Sequence, residues 1–225
     1  MTDPVGASSD QDVVVEGFPS ELSPNATILV TGNVDPARYG IGLRSLCRYG
    51  SVGDSGLVVT TTDSADQTRR SFENVCEKSE ELPLGIVDTT SQHQYVNQLY
   101  GVHPTVHIPT PGDLEKLVVA LSDLGRNGSL PNGTHHLVVR SVTPILEAAP
   151  PAHVYAVLDR LSQYRTKGGY CFLGVTAAEH DAKLIDELVE RVDGVLSVTK
   201  SPENRVKVAL HTRDSYLHSS KRGER

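Results

Sequence analysis

"ILVTGNVDPARYGIGLRSL" spans residues 28–46, and its reading decides the fold. Ile28–Val30 is an unbroken apolar run, the pattern of a strand buried on both faces. Gly32 ends it, and a polar loop with Asn33, Asp35 and Pro36 follows. A helix-like pattern begins at about Ile41. Strand, glycine loop, helix is the layout in which backbone N–H groups and a helix N-terminus receive phosphate.

Outward from this stretch, strands and helices alternate. Strands are expected at 27–31, 57–62, 84–88, 136–140, 170–175, 194–199 and 205–211. Between them, single-face stripes predict helices: Leu114, Leu117, Val118, Leu121 and Leu124; Val154, Val157, Leu158 and Leu161; Leu184, Ile185, Leu188, Val189 and Val192. Segment 64–78 puts Ala65, Thr68, Phe72, Val75 and Cys76 on one face. Ser64 and Thr110 are the expected caps, with Pro111 at the first position of its helix. This order predicts a three-layer α/β sandwich, a mostly parallel sheet with helices on both faces. "KSPEN" (200–204) is short enough to join the last two strands as an antiparallel hairpin at the C-terminal end.

The expected organisation is a flexible N-terminal segment over 1–22, one domain over 23–211, and a polar C-terminal tail over 212–225. The 225 residues suit one domain, and with 5% aromatics and no Trp its core must be aliphatic. A net charge of -7 argues against nucleic acid and against anionic membrane as partners. No apolar run reaches the ~18 residues of a membrane span. Cys47, Cys76 and Cys171 form no CxxC and sit in apolar contexts, so they are read as reduced and buried, which points to the cytoplasm. His103 and His107 have metal-ligand spacing, but Pro104 between them breaks the helix such a site needs, and His93 would have to fold in from a loop. No metal site is expected. Residues 89–110 are long for a connector, which suits a partner surface.

Two motifs half-fit the loop. Thr31-Gly32 with Gly40-Ile41-Gly42 partly matches the TGxxxGxG of short-chain dehydrogenases, with Asp63 as a ribose ligand. The glycine spacing is wrong, and no Tyr-x-x-x-Lys pair exists to move the proton. A nicotinamide-dinucleotide reductase is therefore the weaker alternative. The other motif is the P-loop, G-x-x-x-x-G-K-[ST]. Counting from Gly32 and Asn33, Ala37 replaces the second Gly, Arg38 the Lys and Tyr39 the Ser/Thr. Arg38 keeps the charge in a bulkier form, and Tyr39 offers no small hydroxyl for magnesium.

Reading on, the order of segments from about 26 to 211 resembles the RecA-superfamily ATPases of the KaiC type. "ILVTGNVDPARYGIGLRSLCRYG" is similar to their P-loop strand and helix. "LVVTTTDSADQTRRSFE" is similar to their second strand and acidic pair, and "HHLVVRSVTPILE" to their Walker B strand. "LGIVDTTSQ" and "AAEHD…VDGVLSV" are similar to a haloarchaeal branch of KaiC-like proteins. The resemblance puts the Walker A Lys at Arg38 and the Ser/Thr at Tyr39. It puts the paired glutamates at Thr62 and Asp63, and the Walker B Asp-Ser at Arg140-Ser141. An Arg at the Walker B position sets a cation where a cation should bind. The expectation is a degenerate ATPase fold without hydrolysis, acting through a protein partner in regulation or signalling. ATP stays a candidate ligand through Gly32, Asn33, Arg38 and Tyr39, magnesium is not expected, and a homo-oligomer is left open. From the residues alone, Arg38 and Arg140 pair with Asp35 or Asp63.

Overall fold

The computed structural model describes residues 13–90, 97–98, 104–126 and 130–223. In chain order the elements are β1 Val15–Glu16, β2 Thr27–Gly32, α1 Ile41–Tyr49, β3 Ser55–Thr60, α2 Ala65–Val75, β4 Leu84–Asp88, β5 Asn97–Gln98 and β6 Thr105–His107. They continue with α3 Leu114–Arg126, β7 His135–Val139, α4 Thr143–Ala148, α5 Pro151–Leu161, β8 Cys171–Thr176, α6 Ala182–Val189, β9 Gly194–Lys200, β10 Val206–Thr212 and α7 Arg213–Gly223.

One sheet carries these strands in the order β1-β10-β9-β2-β8-β7-β3-β4-β6-β5. From β9 to β6 every pairing is parallel, and β9–β10 is antiparallel, as the short "KSPEN" connection predicts. The predicted three-layer α/β architecture is therefore present.

Alternation along the strands builds two cores. Leu29, Leu57, Val59, Leu137 and Val139 face one way and pack against Leu117 and Leu121 of α3, Val154 and Leu158 of α5, and Ile185 and Leu188 of α6. Ile28, Val30, Val58, Ile86 and Val138 face the other way, toward Ile41, Leu43 and Leu46 of α1 and Phe72 of α2. Strands buried on both faces need apolar residues at consecutive positions, which is why "ILV" and "LVV" runs mark them. Burying each large aliphatic side chain contributes about 1.5–3 kcal/mol.

The structure corrects several expectations. Cys47 and Cys76 are joined by a disulfide, and Cys171 alone is free and buried. Cys47 lies near the end of α1 and Cys76 closes α2; the Cα atoms of these packed helices are 5.5 Å apart, within bridging range. The cysteine argument for the cytoplasm thus loses its basis. Among the described residues no helix is long and apolar enough to cross a membrane.

The expected tail is not all solvated: α7 forms at Arg213, and Tyr216 and Leu217 pack on the first core. The N-terminal segment is partly built in as well. β1 pairs with Val206 and Lys207 of β10, and Val13 and Leu22 are buried. Segment 89–110 holds a sheet strand, β6, beside β4. Thr110 does not cap α3; Asp113 does, accepting from Lys116 N at 3.2 Å. Ser64 caps α2 as expected, in a reciprocal capping box with Gln67.

Candidate functional site

The parallel strands bring Gly32, Thr60, Asp88, Val139 and Thr176 to one edge of the sheet, where α/β folds receive ligands. The loop from Asn33 to Gly40 rises from this edge. Gly40 has φ 59 immediately before α1, a left-handed conformation that an L side chain resists. Gly32 has a different reason to be glycine: a Cβ there would lie 1.9 Å from the carbonyl oxygen of Val198 on the neighbouring strand.

Three backbone donors at the loop are spent internally. Ala37 N donates to Asp35 Oδ1 at 2.9 Å. Gly40 N donates to Ala37 O at 3.0 Å and Ile41 N to Pro36 O at 3.1 Å. Pro36 has no N–H to give. A carboxylate of the chain thus holds one amide that a phosphate loop would offer. Tyr39 is buried in the second core, with Lys200 Nζ 5.8 Å from its ring centroid.

Arg140 follows β7 and is only 4% exposed. Its Nη1 lies 2.6 Å from Asp63 Oδ2 and donates to Thr68 Oγ1 at 2.7 Å, while Nη2 donates to Ala37 O at 3.0 Å. One guanidinium therefore ties together the loop after β2, the turn after β3 and the buried face of α2. Thr60 Oγ1 donates to Asp63 O at 2.6 Å and accepts from Thr68 Oγ1 at 3.1 Å, which fixes that turn. Gly174 makes room for the Arg140 backbone; a Cβ there would sit 2.1 Å from Arg140 O. Ser141 is buried, and its carbonyl accepts from Thr61 Oγ1 at 2.8 Å.

Of the named positions, Arg38, Tyr39, Thr62, Asp63 and Arg140 line one pocket, while Gly32, Asn33 and Ser141 are not among its described lining residues. Arg140 and Asp63 pair, as the residues alone suggested. Asp35 bonds the loop amide. Thr62 and Arg38 are exposed and line the same pocket as Arg140 and Asp63. Asn33 is exposed on the loop. The residues fit magnesium poorly: Arg140 is a cation, Asp63 is engaged by it, and Tyr39 is buried in the second core. A ribose ligand is no better served, since Asp63 is already bonded.

Above the loop lies a pocket of about 710 Å³. Its walls come from the 35–40 loop, Arg44 of α1, Ser71, Asn74 and Val75 of α2, and Val13 and Val15. Arg44 Nε donates to Tyr39 O at 3.2 Å, and burial pushes its pKa below the ordinary arginine value. The stripe on 64–78 already marked Thr68 as buried. Nothing in the sequence marked Arg44, because its role depends on how α1 and α2 meet.

A buried carboxylate, Asp88 at the end of β4, accepts from Ala65 N at 2.8 Å and Thr90 N at 2.8 Å. It holds the N-terminus of α2, where negative charge is favoured. His107 Nδ1 is 3.4 Å from Asp88 Oδ2. His93 and His103 lie outside the described residues, and among the described ones no cluster of three metal-ligand side chains occurs.

The fold and edge define an α/β protein with a strand–loop–helix site at the C-terminal ends of parallel strands. A model described as "Family of unknown function (DUF7504)" matches residues 25–198, and the chain belongs to that family. No curated protein matches the sequence. Among solved structures, an uncharacterized protein PH0321 from Pyrococcus horikoshii, crystallised in complex with an unknown peptide, is similar in fold: TM-score 0.58, 16% identity, 85% of each chain covered. A KaiC-like protein, PH0186, from Pyrococcus horikoshii OT3 aligns at TM-score 0.47 and 17% identity over 84% of this chain and 79% of that one.

Proposed function

We propose that this chain is a P-loop ATPase fold of the RecA/KaiC type that does not hydrolyse ATP and serves regulation or signalling by binding a protein partner. The observation that carries this reading is the Arg140 guanidinium, buried and bonded to Asp63, Thr68 and Ala37 O. Hydrolysis on such a fold needs a magnesium ion bridging the phosphates and a carboxylate free to orient water. Arg140 supplies positive charge in place of a metal ligand and neutralises Asp63, an acid placed to act on water. The strand–loop–helix frame and its sheet are kept, so what remains is a shaped surface. The peptide in the PH0321 crystal supports the idea that a chain of this fold can receive a peptide.

The test is a magnesium-dependent ATPase assay on the full chain. The expected result is turnover no higher than a buffer control. Magnesium-dependent hydrolysis that Arg140→Ala abolishes would overturn the proposal.

A second reading, ATP binding without turnover through Arg38, is favoured by one observation: Arg38 lines a pocket large enough for a nucleotide-sized ligand. It expects ATP to raise the melting temperature of the wild type but not of Arg38→Ala.

A further inference from the structure

Helix α2 is held unevenly. Its N-terminal half is pinned by polar contacts: Ser64 caps it, Asp88 accepts from Ala65 N, and Thr68 is bonded to Arg140. Its C-terminal half has less. Between Arg69 and Val75 only Phe72 is buried, and Arg70, Glu73 and Asn74 are exposed. Both flanks of this half border open space. Ser71, Asn74 and Val75 line the pocket of about 710 Å³, and Arg69, Phe72 and Glu73 line a second cavity of about 240 Å³. Segments with few buried apolar contacts are the first to open in a folded chain.

Cys76, directly after Val75, supplies the missing hold. It is bonded to Cys47 near the end of α1, the helix that brings Arg44 to the same pocket. Lys78 Nζ adds a hydrogen bond to Gly50 O, just after α1. The two sulfurs are not equally reachable: Cys76 is 1% exposed, whereas Cys47 is only partly buried. A thiol arriving from solvent meets Cys47 first, and the sulfur it displaces belongs to the end of α2.

We infer that the Cys47–Cys76 bond is a reversible redox latch on the pocket. Oxidised, it holds the C-terminal half of α2 against α1; reduced by a dithiol, it releases that half together with the Ser71, Asn74 and Val75 wall. The chemistry is thiol–disulfide exchange. One thiolate of the dithiol attacks Cys47 Sγ, and the S–S bond breaks with its electron pair on Cys76 Sγ, which takes up a proton. The second sulfur of the dithiol, having lost its proton, then displaces Cys47 Sγ, which is protonated in turn. Two electrons pass to the protein, and the dithiol ends as its own disulfide. The freed segment stays tied at both ends by Thr68 and Leu82, each fully buried, so the two thiols remain near enough for an oxidant to rejoin them.

The experiment is hydrogen–deuterium exchange read by mass spectrometry on the full chain: oxidised, after dithiothreitol without denaturant, and after the reductant is removed and oxidised glutathione added. Thiol counting on the same samples should give one, three and one. The variants are Cys47→Ser with Cys76→Ser, which fixes the released state, and Cys171→Ala, which leaves the latch intact. The expected result is exchange over 69–76 faster by about 10-fold or more on reduction and in the double variant. Over the same labelling times β2, β3 and β7 stay protected. Reoxidation restores the slow exchange, and Cys171→Ala follows the wild type. A bond that dithiothreitol leaves intact in the native protein, unchanged exchange over 69–76, loosening of the whole chain together, or failure to close again would each overturn the inference. The dithiothreitol arm uses the wild-type chain, so it decides the matter even where a variant fails to fold. The latch does not depend on the non-hydrolysing reading, which the ATPase assay above tests separately.

Discussion

Arg140 Nη1 lies 2.6 Å from Asp63 Oδ2, across the edge of the sheet where the loop after β2 and the turn after β3 meet. The pair is asymmetric, with the Arg140 side chain 3% exposed and that of Asp63 37%. Removing the arginine strands two acceptors, Thr68 and Ala37 O, and releases the acid to water. Removing the acid leaves the arginine charge buried, but still with two hydrogen bonds.

Arg140→Ala should destabilise the chain by about 3 kcal/mol, since it empties a buried, multiply bonded position. Asp63→Asn keeps an acceptor in place and should cost less, about 1–2 kcal/mol. Urea unfolding of both variants checks this. If the two midpoints coincide with that of the wild type, the pair does not hold this edge together.

The disulfide between Cys47 and Cys76 closes a loop with sequence separation 29 and ties the end of α1 to the end of α2. In the chain-entropy account a loop of that length contributes about 3–4 kcal/mol. Reduction, or Cys47→Ser with Cys76→Ser, should lower the unfolding midpoint accordingly. Thiol counting under denaturing, non-reducing conditions should find one free thiol, Cys171. Three would show that the bond is not formed.

Acid should weaken the fold through one identifiable pair. Tyr170 N donates to His136 Nδ1 at 3.1 Å, so the neutral ring carries its proton on Nε2, 3.2 Å from Asp54 Oδ2. Burial pushes the His136 pKa below its ordinary value of 6.5, with Asp54 only partly offsetting it. The Asp54 carboxyl is pushed up by burial, but the Ser51 and Thr134 amides and His136 outweigh this and bring it below 3.8. In both cases the unfolded chain takes the proton more readily. The stability is fully present above about pH 6.5, declines below it as His136 must charge, and declines again below about pH 3.8. Unfolding free energy measured at pH 7.5, 6.0 and 5.0 should fall more steeply in the wild type than in His136→Asn. Equal slopes would assign the effect elsewhere.

Gly32→Ala should be among the costliest single-atom changes. Its Cβ would meet a backbone oxygen, Val198 O, at 1.9 Å, which no rotamer change relieves. A loss of about 2–3 kcal/mol or more is expected. Gly40→Ala, with open space around the new Cβ but φ 59, should cost only about 1 kcal/mol. A reversed ranking would mean that the two strands separate readily at this edge.

Much of the fold was legible because its strands are buried on both faces. "ILV" at Ile28–Val30 and "LVV" at Leu57–Val59 admit few other readings in a chain with no membrane-length apolar run. The loop was legible for a similar local reason: a Gly after a buried strand and a Gly before a helix have backbone causes, which the structure places at Val198 O and at φ 59. Missed were α7, whose polar surface hides Tyr216 and Leu217, and β1, two residues long and paired with β10.

By itself the sequence determined the alternation of strands and helices, hence the parallel sheet, and it placed Arg140 and Asp63 at strand ends on the same edge. Burial periodicity and chain connectivity are local properties, and they suffice for that. Only the tertiary structure decided that Cys47 and Cys76 join, that Tyr39 enters the core, that Asp35 consumes a loop amide, and that Arg44 faces a pocket without a carboxylate partner among the described residues. Those facts depend on distances between α1, α2 and the loop, which are set by how the helices pack over the sheet and leave no periodic trace in the chain.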